Sequence, residues 1–218
     1  MIIQGHQREY PSLLRPVSPR SMRVPEVRAA RLAMLDQPHI QPLSALAADI
    51  RAQQHVEVPE FDPLDGGIDA RILFLFEKPG PMTSASRTGK AGSGFISRDN
   101  DDPSAEATFR FMETAGIPRE DTVTWNVVPG WNGTRKITAQ ELAAGVADAK
   151  RLLERLHAAR TVVLVGKKAA RATKLFSSAG FAVFESPHPS PLVRAKYPER
   201  WSQIPDIWRA AYKSIPKA

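Results

Sequence analysis

The amino-acid sequence predicts an α/β protein, a three-layer α/β/α sandwich built on a central, mainly parallel four-stranded sheet. Three observations lead there. Short apolar runs recur at 72–76, 122–128, 161–165 and 181–184, as strands buried on both faces require. Segments with helical spacing lie between them, and strand–helix alternation implies a parallel sheet covered on both sides. At 218 residues, 42% of them apolar and 24% charged, the chain suits one globular domain with a real core.

The elements follow in order. Residues 1–22, rich in Pro, Arg and Ser, have no usable period and are expected to form an arm or surface strap. A helix is predicted over 25–36, where Pro25 takes a permitted first-turn position. A second is predicted over 43–54, because Leu43, Leu46 and Ile50 share one face. The segment 57–67 is a loop. After the first strand comes a long glycine-rich loop, then a helix over 105–115 with Ser104 as N-cap and Gly116 just past its end. Thr138 and Glu141 form a capping box before a helix to about His157. Gly166 is expected to open a helix ending near Gly180. Residues 1–58 thus form an N-terminal arm and helices packing on the core, and 59–218 the α/β domain proper, a single domain overall.

Composition narrows the function. The absence of cysteine excludes disulfides, thiolate metal sites and cysteine nucleophiles. No apolar run reaches membrane-spanning length, and the N-terminus lacks the apolar segment of a signal peptide, so a cytoplasmic location is expected. The net charge of +7 is uneven. Residues 151–218 hold 13 basic and 4 acidic residues, against 17 and 19 in residues 1–150. A basic last third in a neutral host fits either a polyanionic partner or a solvated basic face.

Open parallel sheets bind ligands beyond the carboxyl ends of their strands. The residues there are Glu77-Lys78-Pro79-Gly80-Pro81, then Asn126 with Pro129-Gly130, then Gly166-Lys167-Lys168, and last His188-Pro189-Ser190-Pro191-Leu192. An amide inside an apolar strand, as at Asn126, needs a hydrogen-bond partner, either a ligand or nearby backbone. His188 is held in a stiff Pro-rich segment. The stretch 89–94 (GKAGSG) could cradle a phosphate, but no Ser or Thr follows Gly89-Lys90 as in a P-loop.

These segments carry a resemblance. HPSPL at 188–192 resembles the DNA-intercalation motif of the uracil-DNA glycosylase superfamily. FEKPGP at 76–81 resembles its first motif, and TWNVVP at 124–129 the strand with its base-reading Asn. GKKAA at 166–170 looks like the glycine turn of the thermophilic iron–sulfur branch, whose four cluster cysteines this chain lacks. Lys78 stands before the motif proline, where an Asp, Asn or small residue is usual; Glu77 has a counterpart in that branch.

The resemblance implies a cluster-free DNA glycosylase with no cofactor and no metal. Acting as a monomer, it would flip uracil, with other deaminated bases as further substrates, out of single- or double-stranded DNA and hydrolyse the glycosidic bond. Its alternative is a non-catalytic binder of damaged DNA. A small-nucleotide enzyme fits less well, because a free nucleotide needs no wedge. His188 would donate to the uracil oxygen where charge develops. Glu77 would position water or stabilise the sugar cation. Lys78 would hold a phosphate, pair with Glu77, or attack the sugar as an amine. Asn126 would read the base, Phe95 would stack on it, and Pro79 and Gly80 would shape the pocket. Leu192 would wedge the duplex. Ser190, Pro191, Arg194, Lys167 and Lys168 would hold DNA.

Overall fold

The computed structural model describes residues 18–84 and 92–216. Its centre is a four-stranded, wholly parallel sheet. β2 (Ile72–Phe76) lies between β4 (Thr122–Asn126) and β5 (Thr161–Val165), and β6 (Ala182–Ser186) pairs with the far side of β5. The register sets Phe76 beside Asn126 and Val165 beside Ser186, so the carboxyl ends finish level. A separate two-stranded parallel pair joins β1 (Glu60–Phe61) to β3 (Phe95–Ile96).

Because side chains alternate along a strand, each apolar run supplies two faces. Leu73, Leu75, Val123, Trp125, Val162 and Leu164 face one layer, formed by α2 (Gln41–Gln54), α4 (Ala139–Leu153) and α5 (Thr173–Ser178). Ile72, Phe74, Phe76, Val163 and Val165 face α3 (Pro103–Ala115) and α8 (Ile204–Lys213). Burying each such large apolar side chain stabilises the fold by about 1.5–3 kcal/mol. The predicted three-layer sandwich is therefore the observed one. Phe61 stacks on Trp125, ring centroids 3.7 Å apart, and fixes the strand that carries Asn126.

Local boundaries differ from expectation in instructive ways. α1 spans Pro25–Leu32 and stops before residue 36. The N-cap of α3 is Asp102, not Ser104. Its carboxylate accepts from the backbone N–H groups of Ser104 and Ala105, and Pro103 takes the first helical position. The Thr138–Glu141 capping box is present, but α4 ends at Leu153. Gly166, at φ 100, opens a turn and a 3₁₀ segment rather than an α-helix, and α5 begins only at Thr173. Three C-terminal helices, α6 (Pro191–Lys196), α7 (Pro198–Ser202) and α8, were not foreseen.

A buried ionic cluster ties the N-terminal helices to the core. Arg31 of α1 forms ion pairs with Asp62 and Asp99, each at 2.5 Å, and Arg119 forms ion pairs with Asp62, Asp65 and Asp99 at 2.5–2.9 Å. Burial would raise the carboxyl of Asp62, but Arg119 and Arg31 outweigh it and hold Asp62 below the ordinary range. Asp65 goes the other way. Burial, aided by Asp62 and Asp99, raises it to about 6 against the pull of Arg98 and Arg119. The cluster fixes the segment after β3, which runs into one wall of the cleft described next.

Candidate active site

The four strand ends open into a single cleft of about 1150 Å³. Its floor and walls come from the turns after β2, β4, β5 and β6, the segment 96–104 and the start of α6. Glu77, Lys78, Pro79, Gly80, Asn126, Lys167, Lys168, His188, Ser190, Pro191 and Leu192 all line it. The sequence expectation thus gathers most of its residues at one place, and three are corrected.

Phe95 does not line the cleft. Its side chain is fully buried in an apolar cluster with Met22, Val27, Met34 and Leu64, because β3 turns it toward the N-terminal helices. Phe76 and Tyr197 are the aromatic residues that line the cleft, and the ring of Phe76 meets that of His188 edge-on with centroids 5.7 Å apart.

Lys78 is a fastener. Its ammonium, on a side chain 3% exposed, donates to Asn132 Oδ1 at 2.8 Å, to the carbonyl of Lys136 at 3.0 Å and to Glu141 Oε1 at 2.7 Å. All three protons are used, and its carboxylate partner is Glu141 rather than Glu77. This joins the turn after β2 to the loop after β4 and to the cap of α4.

Arg194 lies off the cleft, its guanidinium over the ring of Trp201. Ser190 Oγ caps α6 by accepting from the N–H of Val193. The phosphate cradle of 89–94 falls partly outside the described residues. In its described part, the N–H groups of Gly92, Ser93 and Gly94 are taken by the carbonyls of Ser84, Met82 and Thr83.

Glu77 is placed by glycine. Its Oε1 accepts from the N–H of Lys168 at 2.8 Å. A Cβ on Gly166 would come within 2.6 Å of the carboxylate, so the turn after β5 leaves that space only with glycine, whose φ of +100 other residues rarely adopt.

Five buried polar atoms of residues that line the cleft have no protein partner: Asn126 Oδ1, His188 Nδ1, Thr124 Oγ1, Asn100 Oδ1 and Arg98 Nε. Buried polar atoms of this kind require a partner, and on a cleft that partner is a ligand or water. Burial lowers the pKa of His188 below the ordinary value. Glu77 and Asp102 oppose this and Arg135 adds to it, so the ring is neutral at pH 7.

The rim is basic. Arg135, Arg171 and Arg200 join Lys167 and Lys168 there, and Leu192 stands out from it 73% exposed. The arginines were missed because they lie outside the motifs, although the excess charge of the last third pointed to two of them. Trp208 of α8, also missed, donates from its indole to Ser186 Oγ at 2.9 Å and braces the strand end before His188.

The Lys78 fastener has a pH signature. Burial would raise the carboxyl of Glu141, but the bonds from Lys78 and Thr138 lower it to about 2. A depressed carboxyl contributes stability above its unfolded value of about 4.5, lost as pH falls toward 2. Glu141→Gln is therefore expected to melt lower at pH 7 and to differ less from the parent at pH 2–3, as thermal unfolding across that range will show.

A family model described as the uracil DNA glycosylase superfamily matches residues 63–211. No curated protein matches the chain significantly. Among solved structures, a candidate uracil DNA glycosylase from Methanosarcina acetivorans, determined by NMR, is 18% identical. The match covers 66% of this chain and 92% of that one, with a TM-score of 0.44.

Proposed function

The chain belongs to the uracil DNA glycosylase superfamily, and we propose that it flips uracil out of DNA and hydrolyses its bond to deoxyribose, leaving an abasic site. The observation that supports this best is the pair of unpartnered polar atoms, Asn126 Oδ1 and His188 Nδ1, on one cleft at the strand ends. Uracil offers a ring N–H between two carbonyl oxygens. An amide can accept from the one and donate to the other, which suits Asn126. Phe76 gives the base an apolar surface.

In the reaction, the electron pair of the glycosidic bond goes to the departing uracil, and water adds to the sugar carbon. The neutral ring of His188 donates an N–H to the uracil oxygen that gains charge. Glu77, held against Gly166, stabilises the sugar cation or orients the water. Lys78 takes no part in bond making, since its protons are committed to Asn132, Lys136 and Glu141. The enzyme is therefore monofunctional. It acts as a monomer in the cytoplasm on single- and double-stranded DNA, gripped through phosphates by the basic rim.

Uracil-containing oligonucleotides, incubated with the protein and then treated or not treated with alkali, test this. Strand cleavage at uracil only after alkali is expected. Cleavage without alkali would contradict the hydrolytic reading, and tight binding with no abasic product would favour a non-catalytic binder of damaged DNA.

Leu192 would fill the gap left by the flipped nucleotide. Leu192→Ala should then slow duplex substrate by about tenfold or more, on the scale of a few kcal/mol for extracting a stacked base, and single-stranded substrate much less. Equal losses in single-turnover assays on the two substrates would remove the wedge.

A further inference from the structure

With Asn126 and His188 assigned, three buried polar atoms of the same cleft remain unused, the donor Arg98 Nε and two atoms able to accept, Thr124 Oγ1 and Asn100 Oδ1. Thr124 precedes Asn126 by two residues on β4, so both side chains leave the same face of the sheet. Thr124 is 4% exposed, and its Oγ1 has no partner. Thr122, one step further along that face, shows what a satisfied threonine looks like here. It donates to the carbonyl of Arg119 and accepts from Arg98. Threonine on this face is therefore not orphaned by the fold as such.

Asn100 approaches the same cleft from the segment after β3. It is 2% exposed. Its orientation is set, because Nδ2 donates to the carbonyl of Phe95 at 2.9 Å. The remaining atom, Oδ1, is an acceptor and is unpartnered. The cleft thus presents two buried amide oxygens, from Asn100 and Asn126, and a hydroxyl between accepting and donating roles.

Uracil joined to deoxyribose has one N–H. It cannot satisfy both amide oxygens at once. We propose that Asn100 and Thr124 are specificity-determining residues, which extend the base-reading surface of Asn126 and favour a base carrying a second hydrogen-bond donor in addition to its ring N–H. This inference rests on the glycosylase reading of the cleft. It assigns Asn100, outside the motifs that carry the resemblance, and Thr124, within TWNVVP but without a role there, each supported by burial, by an unmade bond and by its place on the cleft.

The probes are duplexes holding uracil, 5-methyluracil or 5-hydroxymethyluracil opposite guanine. The methyl and hydroxymethyl bases separate added bulk from an added O–H donor. Single-turnover release of the hydroxymethyl base is expected to be at least about tenfold faster than of the methyl base. Thr124→Val, which keeps shape and removes the hydroxyl, and Asn100→Ala should each reduce that ratio several-fold. Melting temperatures of the same preparations show whether either variant is folded. A ratio near one in the parent protein, or variants that slow all three substrates equally, would overturn the proposal. In that case uracil release by the parent would still stand. Failure to release any of the three bases would instead count against the glycosylase reading itself.

Discussion

Replacing His188 with Ala is expected to lower the single-turnover rate of uracil release by about 10²–10³, the loss seen when one preorganised donor to a developing oxyanion is removed. The size of the effect follows from where the ring sits. His188 is held by Pro187 and Pro189, packed edge-on against Phe76, and carries an unpartnered Nδ1 on the cleft. Burial keeps the ring neutral at pH 7, so its N–H meets the leaving base as a dipole already in place. Its pKa lies below the ordinary value, and the sign of the pH dependence follows. The ring gains its proton only as pH falls below the usual histidine range, so the rate should stay flat from about pH 6.5 to 8. A rate that rises as pH falls through 6.5 would mean that the imidazolium does the work. Affinity for uracil-containing DNA should change little, since the contact strengthens only as charge builds. Should the ring merely brace its loop, melting temperature and rate would fall together.

Asn126→Ala is expected to act earlier and on selectivity. A site that hydrogen-bonds one base edge rejects the wrong edge because buried polar groups would be left unpaired, and this discrimination reaches 10⁴–10⁵. Removing the amide should erase at least about 10² of the preference for uracil over cytosine, and lower the rate as well. Stability should move in the opposite direction from that of an ordinary core truncation. Asn126 is 6% exposed with an unsatisfied Oδ1, and deleting an orphaned buried acceptor relieves about 1–3 kcal/mol. The variant should therefore melt at the parent temperature or above. Competition between uracil and cytosine duplexes, together with melting curves, separates the two effects. A variant that loses stability while keeping full selectivity would make Asn126 a structural residue.

Much of this architecture was legible in the residues. The continuous apolar runs at 72–76 and 161–165 could only be strands covered on both faces, and the level strand ends brought His188, Asn126 and Glu77 to one cleft. The Thr138–Glu141 box marked its helix because both partners lie within one turn. What the sequence hid depended on distant partners. Lys78 looked chemical, and only its three bonds to the 132–141 segment show a fastener. Phe95 looked like a base-stacking ring, but the pairing of β3 with β1 commits it to the N-terminal cluster. The ionic cluster joins residues from 31 to 119, a separation that no local pattern reveals. α8 did leave a signal, since Ile204, Trp208 and Ala211 repeat at helical spacing and are all buried. Asn100 and Thr124 left none, because an unmade hydrogen bond is visible only once every neighbour is in place.

Direct detection of the released base decides between a glycosylase and a binder. The intact protein, in excess over a duplex with one uracil, should yield free uracil equal in amount to the abasic sites formed, measured by mass spectrometry of the small-molecule fraction. The same mixture made with His188→Ala should reach that yield about 10²–10³ times more slowly. No free uracil from the parent protein, at concentrations where it binds the duplex, would contradict the assignment of this cleft as a glycosylase active site.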